Sequence, residues 1–374
     1  MLQNKIYYNY FKEILKIFIT ILLSLTIIAW TVRAVNFLDL IVENGYSITT
    51  YFNFSILNSF GIATKFVPLS FLLTLTIFII RLMQENELVI LWTSGVKKIK
   101  IINLFLFISI VITIINLILS IFITPATLNK SRHLLSNENL SSILPTLKIQ
   151  QFSDSFKGLT FIVDDKLNNK IKNIFLYDTS ENLKNLISSD KKNLSTTIIA
   201  KDGIVEKKKM TLFNGQIISS NKNENDIIRF EQISIDLTNL TNTTIKKPKI
   251  QETSTIKLFS CINKEVPKDN ICNSNFNVEI LPTLTRRIIL PLFIPVLALI
   301  TSLLLIKNGN KFLFNKISIF SYAFLVLLYA ELTIRYTGVS KIFANIFIIS
   351  PFLLLAIIYI FIKYKLSKES NLHA

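Results

Sequence analysis

Six stretches of the chain run almost without charge: Ile14–Phe37, Tyr51–Ile80, Ile99–Thr124, Ile288–Ile306, Ile317–Ile334 and Ile342–Ile362. Each approaches or exceeds the roughly 20 apolar residues that carry a helix across a bilayer. The second is interrupted by Ser55, Asn58, Ser59, Thr64 and Lys65 and contains Pro68. The first is too long for the apolar core of a signal peptide and has no small-residue cleavage site after it, so it is expected to stay as an anchor.

Between the third and fourth runs the pattern changes from continuous to alternating. Leu159–Val163, Ile171–Tyr177, Thr196–Ala200, Gly203–Lys207, Met210–Phe213, Gln216–Ser219 and Ile227–Leu237 read as strands bounded by turn residues. Asn214-Gly215 reads as a hairpin turn between two of them. The predicted fold class is an α-helical membrane protein with six transmembrane helices and an inserted extracytoplasmic all-β domain. The expected divisions are 1–125, 126–285 and 286–374. Phe230, Ile233, Ile235 and Leu237 give the last strand an apolar face. Two readings fit that face: packing of a second sheet, or an open sheet holding a lipid.

Composition narrows the picture. With 51% hydrophobic residues and 29 Phe the chain is not a disordered one. Its net charge of +17 would ordinarily suggest nucleic acid. Here, however, the basic excess sits in short loops beside the apolar runs, where it sets orientation, and no nucleic-acid partner is expected. Lys5, Lys12 and Lys16 precede the first run, and Arg81, Lys97, Lys98 and Lys100 lie between the second and third. Lys307, Lys311 and Lys316 lie between the fourth and fifth, and Lys363, Lys365 and Lys368 follow the sixth. All four groups fall on one side, which predicts cytoplasmic termini and an outer β domain.

Catalytic motifs do not emerge. There are two His and eight Gly, with no G-x-S-x-G, no H-E-x-x-H and no phosphate-binding G-x-x-x-x-G-K-[ST], and neither a cofactor nor a metal is expected. Energy for any transport work would come from a partner. Ionisable groups at the span edges are the candidates for ligand contact, because charge in hydrocarbon is costly. These are Arg33, Lys65, Glu331 and Arg335. Glu331 and Arg335 are four apart and fit mutual pairing as well as substrate contact, while Arg33 and Lys65 fit either an anionic ligand or snorkelling toward headgroups. Cys261 and Cys272 lie in the outer domain, where an oxidising compartment would allow a disulfide.

The loop between the second and third runs, residues 84–100, is apolar where a solvated loop would not be. Glu85 and Glu87 open it, Leu88, Leu91 and Trp92 fill it, and Gly95 followed by lysines suits a helix end. A short helix docking into a groove of another protein explains that pattern.

Taken together these features resemble the lipopolysaccharide-export permeases LptF and LptG. The resemblance covers nearly the whole chain. It rests on three spans, an outer β domain, three further spans, and the spacing Glu85, Glu87, Leu88, Gly95, Val96 after the second span. It implies a coupling helix near 84–96 that enters a groove of an LptB-like ATPase, with Glu87 as its key acid. It implies an outer partial β-jellyroll that receives lipopolysaccharide, with Phe230 and Ile233 facing acyl chains, and hands it to LptC/LptA-like jellyroll proteins. Arg33 matches a basic residue that contacts the glycolipid phosphates, whereas Trp30 stands where some members carry a second one. The start Asn4-Lys-Ile-Tyr-Tyr, the Pro68-Leu-Ser in the second span and the Thr285-Arg-Arg-Ile lead look closer to LptF, which implies an LptG-like sister permease and a Gram-negative inner membrane. An LptG assignment, a permease for another lipid, lipoprotein or peptide, and a membrane-anchored periplasmic scaffold or sensor stand as alternatives.

Overall fold

A computed structural model of the chain describes residues 2–42, 46–137, 147, 149–156, 158–179, 195–206, 209–220, 225–236, 249–262, 276–306, 316–339 and 341–372. The first part is helical: α1 (Leu2–Asn36), α2 (Asp39–Val42), α3 (Ile48–Gln84), α4 (Glu87–Thr93) and α5 (Lys98–Ile118). The last runs through a π-helical turn, Leu119–Ile123, into α6 (Thr124–Asn137). Six strands follow: β1 (Ser153–Phe156), β2 (Leu159–Leu167), β3 (Lys170–Asp178), β4 (Ser195–Glu206), β5 (Lys209–Ser220) and β6 (Asn225–Asp236). The chain then returns to helix in α7 (Thr255–Ile262), α8 (Phe276–Ile288), α9 (Phe293–Ser302), α10 (Lys316–Tyr336) and α11 (Lys341–Leu372).

Among the described residues six helical stretches are long and apolar enough to cross a membrane: Lys5–Val42, Ile48–Gln84, Lys98–Leu135, Glu279–Leu305, Lys316–Tyr336 and Ile342–Lys368. They contain the six expected runs, save Ile306 at the end of the fourth, and outlast most of them. At about 1.5 Å per residue α3 is about 55 Å long, well beyond the ~30 Å apolar thickness, so its ends must leave the hydrocarbon.

The chain forms two compact units. The first comprises Met1–Thr31, Asn58–Asn129 and Lys249–Ala374. At its centre is α9, every residue of which is buried, packed against α5, α10 and α11. Edge-to-face rings tie α1, α3 and α5 together: Tyr10 on Phe78 (5.4 Å), Phe18 on Phe71 (6.3 Å) and Phe78 on Phe105 (6.1 Å). The π-helical turn of the third span displaces the regular bonding, and the carbonyl of Ile121 accepts from the Thr255 hydroxyl at 2.8 Å. Arg287 holds that threonine. Its guanidinium, buried to 5% exposure, donates to Thr255 Oγ1 and the carbonyls of Thr253 and Gln251 at 2.8–2.9 Å.

The second unit comprises Val32–Leu57 and Lys130–Pro248. Its strands form one antiparallel meander in the order β1-β2-β3-β4-β5-β6. The buried face carries Phe161, Ile174, Leu176, Ile198, Leu212 and Ile217, closed over by Tyr46, Phe54, Leu135 and Leu147. Among the described residues there is no second sheet. Short polar and helical segments of the same unit supply the cover that a second sheet would have given.

A crease crosses this sheet. From β2 to β6 the ladder steps over one residue per strand at the same level: Asp164, Asn173, Lys201, Asn214 and Glu231. All five are exposed, and Asn173 and Asn214 have φ of 49° and 51°. The alternation changes phase there. In β4 the buried residues are Thr196, Ile198 and Ala200 before the crease and Gly203 and Val205 after it; in β5 they are Met210 and Leu212, then Ile217 and Ser219. One extra residue in each strand re-aims the second half, so the apolar side chains stay on one face.

Two expectations are thereby corrected. Thr196–Ala200 and Gly203–Lys207, whose last residue lies outside the described residues, mark the two halves of a single strand, β4, and Met210–Phe213 and Gln216–Ser219 are halves of β5. Asn214-Gly215 is an in-strand irregularity rather than a hairpin turn, because the left-handed backbone that suits a hairpin also suits this crease. Gly215 is required for a second reason. A Cβ there would drive into the Ile199 carbonyl and stand 2.5 Å from the Phe230 ring, which lies across it.

Candidate functional site

The segment between the second and third spans forms a compact corner of the first unit. The turn out of α3 places Asn86 at φ 57°, and α4 starts at Glu87. Its end is a Schellman motif: Gly95 N–H donates to the Trp92 carbonyl and Val96 N–H to the Leu91 carbonyl, both at 3.1 Å. Gly95 has φ +83°, which any side chain would strain, while space around it is open. Val96 is buried with Leu91 in the main core, the apolar contact that accompanies such a motif.

The burial of α4 divides its residues. Leu88 and Leu91 are each only 6% exposed and face the core of the unit, and half-buried Trp92 packs against the same core. Val89 and Ile90 point the other way, 56% and 65% exposed. The apolar surface that α4 offers outward is thus a pair of residues the sequence pattern does not single out. Adjacent positions on a helix face different directions, so the core takes Leu88 and Leu91 and leaves Val89 and Ile90 out.

Charge gathers at the same corner. Glu87, half-buried, accepts a hydrogen bond from the Tyr10 hydroxyl at 3.3 Å. Exposed Glu85 lies 3.5 Å from Arg81 Nε, and the Arg81 guanidinium donates to Glu13 at 2.7 Å. Glu13, Tyr10 and Arg81 escape a reading of the loop alone because two of them come from α1. The available signal is the i,i+4 spacing of Arg81 and Glu85.

The span-edge charges separate by environment. Glu331 is paired, but to Arg286 of α8 at 2.8 Å rather than to Arg335 four residues on. The guanidinium approaching from the neighbouring helix takes the carboxylate, and Arg335 is exposed with no ion pair among the described residues. Arg33, near the end of α1, has an exposed side chain with no hydrogen bond or ion pair among the described residues. Lys65 is exposed on α3. Arg286 and Arg287 play no part in a loop-by-loop reading, yet two arginines opening an apolar run must find partners inside the protein.

In the second unit Phe230 and Ile233 are both half-buried and both pack against the inner core of the sheet, although their odd spacing would put them on opposite faces of a regular strand. The crease at Glu231 brings them to the same side. Exposed Ile227 and Ile228 extend the apolar character of β6 toward its start. Leu237 lies outside the described residues. Cys261, on α7, is disulfide-bonded, and Cys272 also lies outside the described residues. Among the described residues no three of His, Cys, Asp or Glu converge on a metal-sized site.

Comparison with known proteins agrees with this architecture. The family model for the lipopolysaccharide export system permease LptF/LptG matches residues 9–365. The chain is also 26% identical over 178 residues to the uncharacterized protein RP871 of Rickettsia prowazekii (strain Madrid E), a stretch that is 46% of this chain. It spans about half, 48%, of that relative's length.

Proposed function

Since the chain belongs to the LptF/LptG family of lipopolysaccharide export permeases, a multi-pass family of the inner membrane, we propose that it is the LptF-type half of an exporter that draws lipopolysaccharide from the outer leaflet of that membrane. The sister half is an LptG-like permease, and an LptB-like ATPase supplies the energy, since the permease does no chemistry of its own. Segments of the chain divide the work: residues 1–125 and 286–374 cross the membrane with both termini cytoplasmic, and residues 126–285 stand in the periplasm. There the creased sheet receives the lipid, with Phe230 and Ile233 against its acyl chains, and passes it to LptC/LptA-like jellyroll proteins. Arg33, Lys65 and Arg335 supply positive charge for the glycolipid phosphates.

One observation carries this reading. A seven-residue helix on the basic side of the membrane is anchored by Leu88, Leu91 and Trp92 while presenting Val89 and Ile90 to the outside, beside Glu85 and Glu87. A scaffold or sensor has no use for an apolar pair on a rigid stub, whereas a groove in an ATPase does. Helix anchored on one face and bare on the other is a lever.

The test is co-purification of the ATPase with variants of full-length protein from membranes. Ile90→Asp is expected to lose the ATPase, because it sets an unpaired charge in the contact. Glu87→Ala is expected to weaken the contact by about 2–5 kcal/mol, the usual cost of removing one partner of a desolvated charge pair. Undiminished co-purification with both variants would return the scaffold reading.

A further inference from the structure

The corner that carries α4 contains a second device, which the docking pair does not use. By backbone α4 is joined to α3 through Asn86 and to α5 through Gly95, and not to α1. Side chains tie α1 to this corner at two places, one on α4 and one on the end of α3. Tyr10 donates to Glu87 at 3.3 Å, and Glu13 takes the Arg81 guanidinium at 2.7 Å, while Arg81 also faces Glu85 at 3.5 Å. The two ends differ in strength. The Glu13–Arg81 contact has the length of a strong charge-assisted bond, whereas 3.3 Å is long for a hydroxyl on a carboxylate and is easily broken. The Tyr10 ring is fixed by its edge-on contact with Phe78, so only its hydroxyl need change partner.

The helix at the other end of this connection is loosely held. In the most apolar window of the first span only 11% of residues are buried, the smallest share among the six spans. Its buried residues in the first unit are Tyr10, Ile14 and Phe18, with partly buried Ile6, Phe11, Ile17 and Leu22 packed beside them. Beyond this grip the helix carries the exposed side chains of Ile19, Leu23, Ile27 and Ile28, so a displacement at the grip moves an apolar face that the protein does not cover.

We propose that Tyr10, Glu13 and Arg81 are positioning residues that pass a displacement of α4 to α1: a latch in which Glu13–Arg81 is the fixed end and Tyr10–Glu87 the releasable one. This rests on the reading of α4 as the docking element. When an ATP-hydrolysing partner seats on Val89 and Ile90, α4 moves with it. The latch carries the motion into the first span, whose exposed apolar face then shifts against lipid.

The experiment uses the complete transporter with its ATPase in lipid nanodiscs. Tyr10→Phe keeps the ring and removes the donor, and Glu13→Gln keeps the volume and removes the charge. With either variant the ATPase should co-purify as with wild type and hydrolyse ATP at its basal rate, while stimulation of hydrolysis by lipopolysaccharide falls about fivefold, the scale of one lost hydrogen bond. Spin labels at Lys12 and Ser94 report the linkage directly. On ATP addition the wild-type distance distribution should stay narrow and that of Tyr10→Phe should broaden, a change that a merely structural residue would not produce. Wild-type stimulation and a narrow distribution in both variants would overturn the latch, and so would loss of the ATPase from Tyr10→Phe. Ile90→Asp separates the two readings. If it sheds the ATPase while Tyr10→Phe behaves as wild type, the latch alone is wrong; if it keeps the ATPase, the docking reading is wrong.

Discussion

The first and fourth spans are both uncharged apolar runs in the sequence, yet 83% of the fourth span's most apolar window is buried in the protein and only 11% of the first span's is. Apolar character says that a segment has left water. It does not say whether protein or lipid replaced the water, because lipid tails are as apolar as leucine and exert no pressure for helix to meet helix. The difference lies in what surrounds the run. The fourth span begins with Arg286 and Arg287, which bond to other parts of the protein, and continues into α9, where even Thr301 and Ser302 are fully buried and bond back to their own helix. The first span carries exposed Ile19, Leu23, Ile27 and Ile28 along its length.

Three substitutions break or sharpen this contrast. Arg287→Met should have the largest effect. It strips three hydrogen bonds from a buried site and leaves two carbonyls unpaired there, a loss of about 3–5 kcal/mol. Thermal unfolding of the purified protein in nanodiscs should show it, together with slower exchange protection lost around the Ile121 turn. Ala298→Leu comes next. On a helix with no exposed residue the added carbons must displace neighbours, for about 1–3 kcal/mol by the same measurement. Leu23→Ala, on a side chain 55% exposed, should shift stability of the isolated chain by less than about 0.5 kcal/mol. Equal destabilisation by Leu23→Ala and Ala298→Leu would erase the distinction between the two spans.

Much of the fold is legible in the sequence because membrane spans and sheets write themselves as periodicities. Five of the six apolar runs lie wholly within helical stretches, the fourth lies in one up to its last residue, and the alternating region is a sheet. The ends of the helices are less legible. The first helix starts at Leu2 rather than near Ile14, and the third span continues to Leu135 rather than stopping near Thr124, because helix persists where hydropathy has already fallen. The strand count fails in two ways: the short polar β1, Ser153–Phe156, has no apolar alternation to show it, and a period of two cannot show a strand that changes phase, so β4 and β5 each read as two strands with a gap at Lys201 or Asn214.

At the candidate site the sequence reveals that 84–96 is an unusual loop with caps at both ends. It does not reveal which apolar residues face outward. Leu88, Leu91 and Trp92 fall at i, i+3 and i+4 and share the helix face that meets the core, while Val89 and Ile90, no less apolar, fall on the other face and are left at the surface. The Tyr10–Glu87 and Glu13–Arg81 contacts are invisible for a different reason. Their partners are about seventy residues apart, and only the antiparallel course of α1 and α3 brings them together.

The crease in the sheet bears on how such a domain can change by mutation. Deleting Asn214 alone would throw one half of β5 out of phase, turning either Met210 and Leu212 or Ile217 outward while β4 and β6 on either side kept their apolar residues inward. The same holds for Asn173 in β3 and Lys201 in β4. Single-residue gaps and insertions at this level are therefore forbidden one at a time, although substitutions at Asp164, Lys201 and Glu231 are cheap, and those at Asn173 and Asn214 need only suit a left-handed backbone. Five strands share one constraint on length, and a library of variants would be rigid in count along that row and freest in letters at Asp164, Lys201 and Glu231.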